Sequence, residues 1–206
     1  EYFFGEGLIS RDTVADWLQA EEEEGHRVLG VSYDDGSGAR FGGFVSFVDR
    51  IKDSTIETVA AAKQMNIAIT VITGDALKVA EAVGREAGLV TESAEVTEAA
   101  AFLTLPLAER KKRLSSIRVF ARTTPEQKLE LIQLLKEQFT VGYLGEGIND
   151  APALKAAHVS MVVQSAADVA RETADIVLLQ NDLRVIVEGI RFGRETHANT
   201  MKYIRA

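Results

Sequence analysis

The chain has 206 residues, 46% hydrophobic and 26% charged, and 23 Lys plus Arg against 31 Asp plus Glu give a formal charge of −8. This is ordinary composition for a folded domain, and the acidic balance argues against a nucleic-acid surface, which needs a basic patch. The absence of cysteine excludes disulfides and thiolate metal sites, and no apolar run approaches the roughly 20 residues of a membrane-spanning helix, so the chain reads as soluble.

The first helix is expected from Ser10 or Asp12, with Val14, Trp17 and Leu18 on one face, running into Glu21-Glu22-Glu23-Glu24 and stopping at Gly25. Arg27–Tyr33 then reads as a strand leading to the turn Asp34-Asp-Gly-Ser-Gly38, and Phe41–Val48 as a second, almost continuously apolar strand ending at Asp49. Gly42 and Gly43 are candidate hinge residues. One helix and two strands are too small a unit to stand alone, so the opening segment resembles the end of something larger.

From Ser54, a candidate cap, a helix is expected to place Ile56, Val59, Ala60 and Lys63 along one side. Ile67–Ile72 reads as a buried strand ending in Thr73-Gly74-Asp75, followed by a helix from Ala76 to Ala87 that Gly88 closes. Thr91–Leu114, rich in Ala, Glu, Leu and Lys, reads as one or two short helices, with Lys111-Lys112-Arg113 on a solvated face. Strand and helix then alternate: Arg118–Ala121 with Pro125–Gln138, and Phe139–Leu144 with Asp150–Ala157. His158–Val163 is a further strand, Ala166–Glu172 a short helix and Asp175–Leu179 another strand. A last helix from Asp182 meets no stop signal before the final residue, so both ends of the chain resemble cuts. The alternation predicts an α/β, Rossmann-like fold with a mainly parallel sheet and helices on both faces.

In such a sheet ligands gather beyond the carboxyl ends of the strands, and three loops bring suitable groups there. Thr73-Gly74-Asp75 offers a hydroxyl and main-chain amides for a phosphoryl oxygen, although the same residues make a good turn with Asp75 as a helix cap. Lys128 stands one turn into its helix, where it is placed either to neutralise that oxygen or to face solvent. Gly145-Glu-Gly-Ile-Asn-Asp150 carries two carboxylates suited to a hard cation such as magnesium, with Asp150 equally eligible as an N-cap ahead of Pro152. His26, His158 and His197 share no zinc-type spacing and read as packing or surface residues.

Val71-Ile-Thr-Gly-Asp75, Phe120-Ala-Arg-Thr-Thr-Pro-Glu-Gln-Lys128 and Gly145-Glu-Gly-Ile-Asn-Asp-Ala-Pro-Ala-Leu154 together resemble the haloacid-dehalogenase-type phosphotransfer fold, and more narrowly the phosphorylation domain of P-type ATPases. The third segment is similar to that family's GDGxNDxPAL motif. The resemblance implies that Thr73, Gly74 and Asp75 form the phosphoryl-contacting loop, that Lys128 stabilises the phosphoryl group, that Glu146 and Asp150 hold Mg2+, and that Asn149 completes the pocket. It also implies that residues 1–40 are the end of a nucleotide-binding domain and residues 41–206 a phosphorylation domain ending in the start of a membrane stalk helix. The expected function is that of a cytosolic fragment of an ATP-driven cation pump of the plasma membrane. Its partners would be ATP, the transported cation and the pump's own nucleotide-binding, actuator and membrane domains. Ala174–Leu179 and Ala198–Ile204 look most like the magnesium-transport and proton-pump branches, with magnesium favoured. Two departures stand out: the DKTGT motif with its nucleophilic aspartate is not in the sequence, and Glu146 stands where the metal loop has its first aspartate. Asp49 is followed by Arg-Ile and matches the family's hinge, not the nucleophile. Both departures keep open an alternative, a degenerate phosphotransfer fold acting as a regulatory or binding module.

Overall fold

The computed structural model describes residues 11–48 and 51–205, so Ser10 and Asp49 lie outside it. Helix α1 (Arg11–Glu23) closes at Gly25, where φ is +82° and an added Cβ would stand 2.8 Å from Ala82 Cβ. Only glycine combines that left-handed turn with so close a passage. Strands β1 (Arg27–Asp34) and β2 (Ala39–Phe47) then form an antiparallel hairpin whose register shifts between Val31 and Ser32. The glycines expected to act as a hinge lie opposite this bulge, with Gly43 at φ +143°. The Asp34 carboxylate accepts the amides of Gly36 and Gly38, closing the turn. Trp17 packs on Phe44 and Phe44 on Phe41, at ring separations of 5.5 and 4.8 Å. Leu29, Val31, Tyr33, Val45 and Phe47 remain exposed on the hairpin.

The remaining elements alternate. Helix α2 (Asp53–Gln64) precedes β3 (Val71–Ile72) and α3 (Leu77–Glu86). Next come β4 (Val96–Glu98), α4 (Ala99–Leu103), α5 (Leu107–Arg113), β5 (Val119–Ala121) and α6 (Pro125–Lys136). The chain continues through β6 (Gly142–Gly145), α7 (Ala151–Ala156), β7 (Val159–Val163), α8 (Asp168–Thr173), β8 (Ile176–Leu178) and α9 (Arg184–Arg205). The result is an α/β, Rossmann-like fold of parallel and antiparallel sheets flanked by helices. The parallel strands form two sheets, ordered β3-β5-β4 and β6-β7-β8.

Several local expectations need correcting. The strand Ile67–Ile72 keeps only its last two residues, paired as Val71 with Val119 and Ile72 with Phe120. Within Thr91–Leu114 a strand, β4, accompanies the two helices; three residues between helix-forming stretches carry little local signal, and pairing with β5 makes them a strand. Helix α2 begins at Asp53 with Lys52 at its cap position, placing Ser54 inside the helix. Its buried face is Thr58, Val59 and Ala62, while Ile56 is 43% exposed and Ala60 also faces solvent.

Three apolar clusters support the two sheets. One joins Val59, Ala80, Leu89, Val90 and Val119 under α2 and α3, and a second centres on Phe102, Phe120 and Leu131. The third gathers Tyr143, Leu154 and Val162 around β6 and β7. Ile72 touches the last two and ties the sheets together. Phe102 meets Phe120 edge-on at 5.0 Å, an arrangement worth about 0.5–1.5 kcal/mol beyond burial. β3 and β6 are end strands, and a cleft of about 420 Å3 opens between the sheets, lined by Val71 and Thr73 on one side and Leu144 and Glu146 on the other. No described helix is long and apolar enough to cross a membrane.

Candidate functional site

All three motif loops emerge from the carboxyl ends of parallel strands. Thr73 directly follows β3, and its amide donates to the Phe120 carbonyl at 2.9 Å while its own carbonyl accepts the Thr123 amide at 2.9 Å. The Arg122 amide bonds to the Asp75 carbonyl at 2.8 Å, with Arg122 held at φ +49°. These bonds lock the Thr73 loop to the segment that leads into α6. The Thr73 hydroxyl donates to Asp75 Oδ2 at 2.7 Å and accepts the Asp75 amide at 3.1 Å. Asp75 Oδ1 is paired with Arg27, a residue of β1. Gly74 is exposed, and a Cβ there would meet nothing closer than 3.8 Å, leaving open space beside the loop.

Helix α6 is started by Thr124, whose side chain accepts the Gln127 amide while the Gln127 side chain accepts the Thr124 amide. With Pro125 in the first turn, this capping box sets the helix entry one residue after Thr123. Lys128 is thereby aimed at the acidic loop, and its Nζ donates to Asp150 Oδ1 at 2.7 Å. The pair is well covered, with side-chain exposures of 18% and 13%.

Asp150 occupies the residue ahead of α7, yet its side chain does not cap that helix. It folds back instead. Oδ2 accepts the amides of Glu146 at 3.2 Å and Gly147 at 3.1 Å, and Oδ1 accepts both Lys128 and the Tyr143 hydroxyl, the latter at 3.0 Å. Burial pushes the Asp150 pKa up, but the Lys128 ammonium and the two amides outweigh it, leaving the carboxyl below its ordinary range. Tyr143 responds in the opposite sense: burial first, and the Asp150 charge second, drive its phenol far above the usual value. Gly145 makes this packing feasible, because a Cβ there would lie 2.9 Å from Asp150 Cβ and 3.3 Å from Tyr143 Cε1.

Glu146 is exposed and lines the cleft together with Thr73 and Asp75; Asn149 is exposed in the short turn 148–150. The structure thus bonds Lys128 and the Glu146 amide to the Asp150 carboxylate, and sets Glu146 along the cleft with Thr73 and Asp75. Sequence reasoning missed Tyr143, hidden in an apolar strand run, and Arg27, which lies far away in sequence. The donors around the cleft are oxygens, as a hard cation prefers. Both oxygens of Asp75 and of Asp150 are already bonded within the protein, so Glu146 is the more available carboxylate. Among the described residues no three acidic or histidine side chains converge on one point as a ready metal cage. The fit to magnesium is therefore partial.

A profile of haloacid dehalogenase-like hydrolases matches residues 5–158. The chain belongs to that family. Within it, the chain is a phosphorylation domain of the P-type cation-transporting ATPase kind, related to magnesium-transporting members. The "Magnesium-transporting ATPase, P-type 1" of Escherichia coli (strain K12) is 42% identical over 164 residues, 79% of this chain. The "Calcium-transporting ATPase 10, plasma membrane-type" of Oryza sativa subsp. japonica is 32% identical over 166 residues. This chain spans only 18% and 16% of the lengths of those two relatives. A crystal structure of a zinc-transporting PIB-type ATPase in its E2.Pi state superposes with a TM-score of 0.67 at 25% identity, covering 94% of this chain and 27% of that one.

Proposed function

We propose that this chain forms the phosphoryl-handling part of an ATP-driven cation pump, with magnesium as the transported ion by likeness to the Escherichia coli relative. The observation that carries the reading is that the Thr73 loop and Glu146 line one cleft, while Asp150, paired with Lys128, accepts the Glu146 amide behind it. In the intact pump an aspartate attacks the γ-phosphorus of ATP, forming an acyl phosphate and releasing ADP, and water later cleaves that bond. Thr73 and the Gly74 and Asp75 amides would hold the phosphoryl oxygens, Lys128 would neutralise them, and Asn149 would complete the pocket. Glu146 would hold Mg2+, with Asp150 ordering that corner and serving as a further ligand; bound magnesium supplies charge neutralisation at the phosphoryl oxygens.

The cleft also suits the missing nucleophile. Val71 and Thr73 give their amides to the carbonyls of Arg118 and Phe120 along the β5 side, so strand alternation turns the main chain of Ile72 toward the opposite edge. Two such end strands flanking an apolar cleft are what an inserted strand needs. In this reading residues 1–40 close a nucleotide-binding domain whose remainder covers the exposed apolar residues of the hairpin, and residues 41–206 lead from the phosphorylation domain into a membrane stalk. The hairpin pairs across that division, since residues 40 and 41 both lie in β2, so the two domains would share a covalent and hydrogen-bonded hinge.

Two measurements test the proposal. Incubated with γ-labelled ATP, the 206-residue chain should incorporate no phosphate, because its sequence lacks the DKTGT motif that carries the nucleophile; stable labelling would overturn the assignment. In the intact pump, Glu146→Asp should phosphorylate as fast as or faster than the parent, since the shorter carboxylate restores the family's pattern. A loss of activity would show that the site has adapted to the longer side chain. A second reading, a binding or regulatory module, is favoured by Glu146 and by the internal saturation of Asp150. Coding sequence immediately upstream decides between the readings: DKTGT followed by a nucleotide domain supports the pump, and a start codon near Glu1 supports the module.

A further inference from the structure

We infer that Tyr143 is a positioning residue of the candidate site, its hydroxyl setting the rotation of the Asp150 carboxylate and through it the path of the Glu146 loop. Asp150 Oδ1 is shared by two donors from different elements, Lys128 of α6 and Tyr143 of β6. Lysine sits on a flexible four-carbon stem and directs a carboxylate weakly. The tyrosine is different: its ring is buried in the cluster around β6 and β7, so its hydroxyl is a donor fixed in space. A donor fixed on Oδ1 turns Oδ2 toward the Glu146 and Gly147 amides, which would otherwise have to find other partners at the mouth of the cleft. Gly145, where a Cβ would press on both Asp150 and the Tyr143 ring, is the residue that lets the two meet. The consequence for catalysis rests on the phosphoryl-transfer reading: the Glu146 carboxylate is delivered to the cleft by a loop whose shape Tyr143 helps to set.

The test reads the loop directly and needs no catalysis. Amide hydrogen exchange is measured by NMR on the full 206-residue chain, the Tyr143→Phe variant, Asp150→Asn and the double variant. Tyr143→Phe keeps the ring and removes only the hydroxyl. Exchange at Glu146 and Gly147 should accelerate by roughly fivefold or more, the scale set by one net hydrogen bond, while the core amides of Leu131 and Ile132 keep their protection. In the Asp150→Asn background the same change should have a much smaller effect at those loop amides, because the two residues act as one unit. The inference fails if Tyr143→Phe leaves the loop amides unchanged, if it accelerates loop and core alike, or if its full effect persists without the Asp150 carboxylate. Any of these outcomes leaves the phosphoryl-transfer proposal standing, since labelling from ATP tests that separately.

Discussion

Asp150→Ala is expected to lower the unfolding free energy by about 2–4 kcal/mol at neutral pH. The estimate sits below the full cost of breaking a buried ion pair because the Lys128–Asp150 pair keeps some solvent contact. The substitution strands four donors together: the Lys128 ammonium, the Tyr143 hydroxyl and the Glu146 and Gly147 amides. The loss should depend on pH in a defined direction. The folded Asp150 carboxyl titrates below its ordinary value, so its contribution is fully present above the unfolded carboxylate pKa of about 4 and fades as pH falls through the folded value. Urea unfolding at pH 7 should therefore separate the parent from Asp150→Ala widely, and unfolding at pH 3 should narrow the gap. An equal gap at both values would mean that the ionised carboxylate contributes nothing. If the phosphoryl-transfer proposal holds, the same substitution in the full-length protein should also impair phosphorylation.

Phe120→Ala should cost about 3–5 kcal/mol, the range for deleting a buried aromatic side chain. Phe120 is fully buried, meets Phe102 edge-on and lies in β5, the central strand of its sheet. Its carbonyl also accepts the Thr73 amide and the Thr123 hydroxyl, so the strand that carries this ring holds the Thr73 loop. For a chain of this size the thermal midpoint should fall by about 10 °C. Phe192→Ala provides the control: that ring is 57% exposed on α9, and its removal should shift stability by no more than about 0.5 kcal/mol. A small effect of Phe120→Ala would show that the cavity collapses without loss.

Much of the candidate site's layout was legible in the sequence, for a local reason. Each motif couples an apolar run to a turn and a helix start, and those signals reside in neighbouring residues. Pro125 and Thr124 start α6 through contacts within four residues, and Gly88 ends α3 with φ +70°. The same locality explains the failures. Ala60 and Thr58 are both compatible with an inner helix face, and the folded packing buries Thr58 and leaves Ala60 exposed. The reading of Asp150 as an N-cap was chemically sound, but its carboxylate had a better set of donors across the loop and on α6.

Residue order alone determined the alternation of strands and helices and the placement of the Thr73, Lys128 and Glu146 segments after strand ends. Those properties depend on side-chain chemistry and on spacings of one or two turns. The folded structure decided that the parallel strands form two sheets with a cleft between their end strands, that β4 exists, and that Arg27 reaches Asp75. It also decided that Tyr143 and Lys128 meet on one oxygen of Asp150. These are pairings between distant segments, where the free energy of a contact depends on which partner the rest of the fold delivers, and no window of neighbouring residues contains that information.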